Sequence, residues 1–211
     1  MSYFPFYTDI TGKTFLIIGG GSVALEKVNR LRLFTNSVIV VASATQIEGR
    51  VTDTPLRGAD EVQILRREYR EGDLALADYV VAATGITEVD RKIAEDCRRR
   101  GIPVNTVDDQ AYCDFIFPSI VKRDALTVAI STSGTSPAYA KQLRREIEDI
   151  LPEEIGPILM KMGELREEVA HRIPCQENRA TCYRKLLAAM IESGNRLTEK
   201  EICEIIEEAA K

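Results

Sequence analysis

Over the first half of the chain, apolar residues fall in short runs separated by helical spacing. Thr14-Phe15-Leu16-Ile17-Ile18 is a partly β-branched run of the kind that forms a buried strand. It passes straight into Gly19-Gly20-Gly21-Ser22-Val23-Ala24, after which Leu25, Val28, Leu31 and Leu33 recur at helical spacing. Val38–Val41, Val62–Arg66, Asp78–Ala83 and Ile102–Val107 predict four more strands. A helix is predicted from about Glu88 to Arg100, closed by Gly101 as its C-cap. Strands alternating with helices predict a parallel sheet.

Past Asp114 the pattern changes. Phe115–Val121 and Leu126–Ile130 predict two strands joined by Lys122-Arg123-Asp124-Ala125, a hairpin rather than another βαβ unit. Ser136 and Pro137 then open a helix with an apolar stripe of Ala140, Leu143, Ile147 and Ile150, suited to packing against another helix. After Pro152 the chain reads as helical. Ile155, Leu159, Met162, Leu165 and Val169 form one apolar face; Leu186, Leu187, Met190 and Ile191 form part of a second. A capping box, Thr198 to Glu201, opens a last helix that buries Ile202, Ile205 and Ile206.

A glycine turn between strand and helix is the setting in which G-x-G-x-x-G/A signals dinucleotide binding in a Rossmann fold. Gly19 would permit the tight turn, Gly21 would admit a pyrophosphate to the backbone, and Ala24 would keep the helix close to the sheet. The phosphates would then lie at the helix N-terminus, at Ser22 and Val23, where free N–H groups and the helix dipole favour anions. The second strand runs out into Ala42-Ser43-Ala44, with no acidic residue for ribose hydroxyls and no arginine directly after it for a 2′-phosphate. Flavin binding is thereby disfavoured, and NAD is preferred over NADP with the choice open. Ser43, Ala44 and the small pair Thr84-Gly85 at the end of the fourth strand are cofactor-side candidates; a plain strand-to-helix turn explains the last pair equally well. Asp108 and Asp109 close the fifth strand, at the end of the sheet where ligands of open α/β folds bind.

With 211 residues, 45% hydrophobic and 29% charged, the chain has the balance of an ordinary globular protein. No apolar run reaches the length of a membrane span, and Met1-Ser2-Tyr3-Phe4-Pro5 lacks the features of a secretory signal. A net charge of −5 argues against general nucleic-acid binding. Cys97, Cys113, Cys175, Cys182 and Cys203 are odd in number and lack C-x-x-C spacing, which predicts free thiols in a reducing cytoplasm. No His/Cys cluster marks a resident metal, and His171 reads as a surface or packing residue.

In combination these residues resemble a family, the precorrin-2 dehydrogenases of siroheme synthesis, including the N-terminal half of the fused siroheme synthases. The likeness rests on Phe4-Pro5-Phe6, Leu16–Gly21, Val23-Ala24 with Lys27, Ala82-Ala83-Thr84, Asn105-Thr106-Val107-Asp108, Phe115–Ser119 and Ser133–Ala138. It runs to about Leu151 and more loosely through the C-terminal helices. The resemblance implies an NAD-binding Rossmann domain over residues 1–113, a hairpin-plus-helix dimerisation region over 114–151 and a helical C-terminal domain over 152–211. It implies a homodimer that oxidises precorrin-2 to sirohydrochlorin with NAD⁺; some members also insert ferrous iron, as substrate. Asp108 takes the place of the family's catalytic aspartate, with Asn105 of the same motif on the cofactor side.

A substrate with eight carboxylates needs cations. Lys122, Arg123 and Lys141 are the candidate clamps, with Arg144, Arg145, Arg179, Arg184 and Lys185 behind them. Ser133, Thr135 and Ser136 are candidates to line the substrate site, although helix capping accounts for Ser136 as well. The chain departs from the family pattern at Gly85-Ile86, at Asp90 where asparagine is common, and at Thr132 in place of a modifiable serine. Two rival readings are an NAD(H)-sensing dimer without catalysis and an oxidoreductase for another small carboxylate.

Overall fold

The computed structural model describes residues 3–43, 62–107 and 109–211. They fall into two compact units, one over Phe4–Phe117 and the other over Pro118–Lys211 together with Tyr3. Ala44 and Asp108, both expected at the site, lie outside the described residues.

The first unit is built on five parallel strands: β1 (Phe15–Ile18), β2 (Val38–Ala42), β3 (Gln63–Arg66), β4 (Tyr79–Ala82) and β5 (Val104–Thr106). Their order is β3-β2-β1-β4-β5. Because side chains alternate across a strand, each central strand feeds two cores. Phe15, Ile17, Val40 and Val81 face helix α1 (Ser22–Leu31), which buries Ala24, Val28 and Leu31. Leu16, Ile18, Val41 and Val80 face α2 (Thr87–Arg100), which buries Ile93, Ala94 and Cys97. Burial pushes the Cys97 thiol up to about 12, so it is a packing group. Gly101 ends α2 at φ +68°, the left-handed C-cap that its sequence predicts.

The second unit opens with an antiparallel hairpin, β6 (Ser119–Arg123) and β7 (Leu126–Ile130). Arg123 pairs with Leu126, so the turn is only Asp124-Ala125, with Asp124 at φ +46°. The strand expected from Phe115 begins only at Ser119. Phe115 and Phe117 instead join a ring cluster of the first unit. Phe15 stacks on Tyr79 at 4.8 Å, Tyr79 meets Phe115 edge-on at 5.8 Å, and Lys27 lies 4.8 Å over Phe117.

Helices α3 (Pro137–Ile150), α4 (Ile155–Glu164), α5 (Arg166–Arg172), α6 (Gln176–Glu192) and α7 (Glu199–Ala210) complete the second unit. The capping box at Thr198 and Glu201 is present. The core takes Ile158, Leu165, Val169, Leu186, Met190, Ile202 and Ile206. Two expected members of these faces lie outside the core. Ile158, not Leu159, is the fully buried residue of α4, and Ile191 is exposed on α6. On α3 only Ala140 of the apolar stripe is buried, and Ile150 is 78% exposed.

Candidate functional site

Three strand ends are held level along one edge of the parallel sheet. The main-chain ladder continues past the strands: Gly19 N–H donates to Val41 O at 2.8 Å, Ala83 N–H to Ile18 O at 2.8 Å, and Val107 N–H to Ala82 O at 3.0 Å. The strand order reverses between β1 and β4, so this edge holds the switch point where open α/β sheets bind nucleotides.

Gly19 has φ +125°, and a Cβ there would fall 2.0 Å from Ala83 O. The neighbouring strand forbids a side chain at this position, a stronger reason for glycine than the turn alone. Gly21 is the opposite case. Its φ of −78° suits any residue, and a Cβ would meet nothing within 4 Å. The glycine leaves open space above the start of α1. No side chain caps that helix, and its first turn carries no acidic residue. Exposed main-chain N–H groups, a helix dipole and an open approach are what a pyrophosphate needs, so the residues fit a dinucleotide. Ser22 and Val23 lie exposed at the same helix start, and Ser43 is half-buried just beyond β2.

The turn after β4 is braced from behind. Thr84 donates both its N–H (3.1 Å) and its hydroxyl (2.8 Å) to Asp90 Oδ1, and Ile86 N–H donates to the Thr84 hydroxyl oxygen at 3.1 Å. Gly85, at φ +76°, faces open space. Asp90 is 5% exposed. Its part in the site was not legible from a helical position that looked merely polar.

Asn105 is buried on β5, and its amide donates to Phe115 O at 2.9 Å and to Cys113 Sγ at 3.5 Å. The side chain expected on the cofactor side thus ties down the segment that follows the strand. Cys113 reinforces the tie, its Sγ donating to Thr106 O at 3.1 Å and accepting from Thr106 N–H at 3.3 Å. Burial raises its thiol above the ordinary value. Asp114 accepts from Val104 N–H at 3.0 Å.

From the other side, α2 grips the same segment. Arg91 Nε donates to Asp109 Oδ2 at 3.0 Å, and Arg98 donates to Ala111 O at 2.9 Å while lying 4.8 Å over the Tyr112 ring. The Asp109 carboxylate raises the Arg91 pKa, chiefly through that hydrogen bond. Of the two candidate carboxylates, Asp109 is therefore engaged by a guanidinium. Neither these ties nor the Asp90 brace could be read from local pattern, since their partners are 6 to 18 residues apart.

In the second unit the serine-rich loop is largely bonded to itself. Thr135 donates its hydroxyl to Thr132 O at 2.6 Å, Ser136 N–H donates to the Thr132 hydroxyl at 3.2 Å, and the Ser136 hydroxyl caps α3 by accepting from Tyr139 N–H at 3.3 Å. Ser133 sits at φ +52°. Lys122 bonds the Asp124 carbonyl, Arg123 the Lys122 carbonyl at 3.1 Å, and Lys141 is exposed on α3. Several expected clamps serve their own unit: Arg144 pairs with Glu148 at 2.5 Å, Arg179 donates to Ile173 O at 2.9 Å, Arg184 to Thr181 at 3.1 Å, and Lys185 pairs with Glu208 at 3.1 Å. Among the described residues no group of three His, Cys, Asp or Glu could hold a metal ion, and no helix is long and apolar enough to cross a membrane.

Comparison with known proteins agrees with this geometry. Residues 6–119 match the family described as "Putative NAD(P)-binding", and residues 123–150 match "Sirohaem biosynthesis protein central". A siroheme synthase of Pseudoalteromonas translucida is 36% identical over 82% of this chain and 36% of its own length. One from Thioalkalivibrio sulfidiphilus is 36% identical over 89% and 37%, and one from Zymomonas mobilis 32% identical over 98% and 44%. The chain thus spans less than half the length of these curated relatives. A solved structure described as SirC, precorrin-2 dehydrogenase, superposes with a TM-score of 0.73 at 22% identity, covering 98% of each chain, and shares the fold. With more than half of its residues matched by the first of these families, and a bare glycine turn at the switch point of its sheet, the chain belongs to the family described as putative NAD(P)-binding.

Proposed function

We propose that this chain oxidises precorrin-2 to sirohydrochlorin with NAD⁺ as hydride acceptor. The observation that carries the reading is the edge of the sheet, where an uncapped helix start under open space adjoins a braced turn at the end of β4. Siroheme synthase relatives that align over as much as 99% of the chain support the substrate class.

The macrocycle must lose a hydride and a proton. NAD⁺, when bound, would supply the acceptor for that hydride. The chain's part is to hold the two reactants and take the proton. Gly21, Ser22 and Val23 would receive the pyrophosphate, and Thr84 and Gly85 the nicotinamide side, with Gly19 keeping the strand ends close. Ser43 and Ala44 are assigned to the adenosine side. Asn105 acts by holding the segment after β5 rather than by touching the cofactor. Asp108 is assigned as the base. Asp109 is not, because Arg91 already engages its carboxylate.

Lys122, Arg123 and Lys141 are assigned to the substrate carboxylates, with Ser133, Thr135 and Ser136 in support. The half-exposed apolar stripe on α3 is assigned to a second copy in a homodimer, and the protein to the cytoplasm.

An anaerobic absorbance time course with precorrin-2 and NAD⁺ tests the reaction, which should give sirohydrochlorin and NADH in equal amounts. Binding of NAD⁺ without turnover would turn the reading to a nucleotide sensor. Asp108→Ala should lower kcat by roughly a hundredfold with NAD⁺ affinity unchanged. Full activity in that variant removes Asp108 from the mechanism.

A further inference from the structure

No arginine follows β2 along the chain, but the sheet brings one from the next strand. β3 runs parallel to β2 with Ala42 level with Arg66, the last residue of each strand. Neighbouring strands lie about 4.8 Å apart, so Arg66 stands one strand's width from the end of β2, on the carboxyl edge of the sheet. The alternation of side chains gives its face. Val40 and Ala42 pack with Ala24 and Val28 of α1, and Ile64 packs against the same cluster, whereas Leu65 packs on the other side. Arg66 therefore continues the row of Ile64, on the face of the sheet that α1 covers.

The next residue shows what an occupied arginine looks like here. Arg67 donates from Nη1 and Nη2 to the Asp73 carboxylate at 2.8 and 2.6 Å. Arg66 is exposed, and its guanidinium pairs with no carboxylate among the described residues. A guanidinium stays charged at any working pH, and its planar fork matches the oxygens of a phosphate. In dinucleotide-binding sheets the end of β2 meets the adenosine ribose. An acid there holds the 2′-hydroxyl of NAD, and an arginine nearby accommodates the 2′-phosphate of NADP. β2 ends here in Ala42-Ser43, with no acid to repel a phosphate and an arginine alongside.

We infer that Arg66 forms a subsite for the adenosine 2′-phosphate, so that the chain takes NADP⁺ as well as NAD⁺. The inference rests on the cofactor reading above and deepens it. The nicotinamide ring is the same in both cofactors, and the 2′-phosphate lies at the far end from it. The hydride and the proton are therefore accounted for as before, with NADPH in place of NADH.

The test is binding without tetrapyrrole, by calorimetric titration of the full chain with NADP⁺ and, separately, NAD⁺. The wild-type chain should bind both. Arg66→Gln removes the charge at an exposed position and should raise the NADP⁺ Kd by roughly tenfold, with the NAD⁺ Kd within about twofold of wild type. Should that variant fail to fold by circular dichroism, Arg66→Met makes the same comparison, since it also removes the charge. An unchanged ratio of the two constants in the folded variant, whether both shift or neither does, overturns the inference and leaves the cofactor reading intact. So does a wild-type chain that binds NAD⁺ and refuses NADP⁺. Failure of the wild-type chain to bind either nucleotide overturns both.

Discussion

Two turns lie side by side on one edge of the sheet and solve opposite problems. Gly19–Gly21 works by omission: no side chain caps α1, and nothing stands within 4 Å of where a Gly21 Cβ would be. Thr84–Ile86 works by reinforcement, with a hydroxyl, a buried carboxylate and a left-handed glycine fixing three residues. A pyrophosphate is recognised by main-chain N–H groups, so the first turn must only keep clear. The second turn is instead held in one shape by its own hydrogen bonds, so it offers a fixed surface at the end of β4.

Substitutions at the two turns separate omission from reinforcement. The largest effect on stability is expected for Gly19→Ala, which forces a Cβ to 2.0 Å from Ala83 O at φ +125°. It should cost roughly 3 kcal/mol or more in urea denaturation; a near-wild-type midpoint would mean that the strand ends part freely. Asp90→Ala comes next. Removing the acceptor that Thr84 uses twice should cost about 2 kcal/mol in the same measurement. A loss within about 0.5 kcal/mol would show the brace to be idle. Gly21→Ala should be the mildest for the fold, within about 0.5 kcal/mol, since its Cβ enters open space. Its effect belongs to the ligand, an NAD⁺ Kd raised by about tenfold on titration. Unaltered affinity in that variant would place the phosphates elsewhere.

What could be read in advance follows from the range of the forces involved. The strands around Leu16, Val40 and Val80 and the glycine turn declare themselves locally, because burial on both faces of a parallel sheet demands continuous apolar runs. Phe115 and Phe117 misled for the same reason. They are as apolar as strand residues, but their rings join Tyr79 and each other, and the strand waits until Ser119. Leu159 and Ile191 fall at the edges of their helix faces, where the helical period alone does not fix burial. The tie from Asn105, expected on the cofactor side, was not visible, because its partner Phe115 lies ten residues on, beyond an irregular segment. The Asp90 brace and the Arg91–Asp109 pair were hidden likewise: polar pairs that close across a turn leave no periodicity to read.

The level strand ends have a further consequence. Gly19, Ala83 and Val107 are aligned by amide-to-carbonyl bonds alone, with no side chain taking part. Apart from Gly19, where a Cβ would strike Ala83 O, exchanging residues along this rim alters its chemistry while the main-chain ladder beneath is kept. Such an arrangement lets side chains at the rim diverge while the edge that carries them stays where it was.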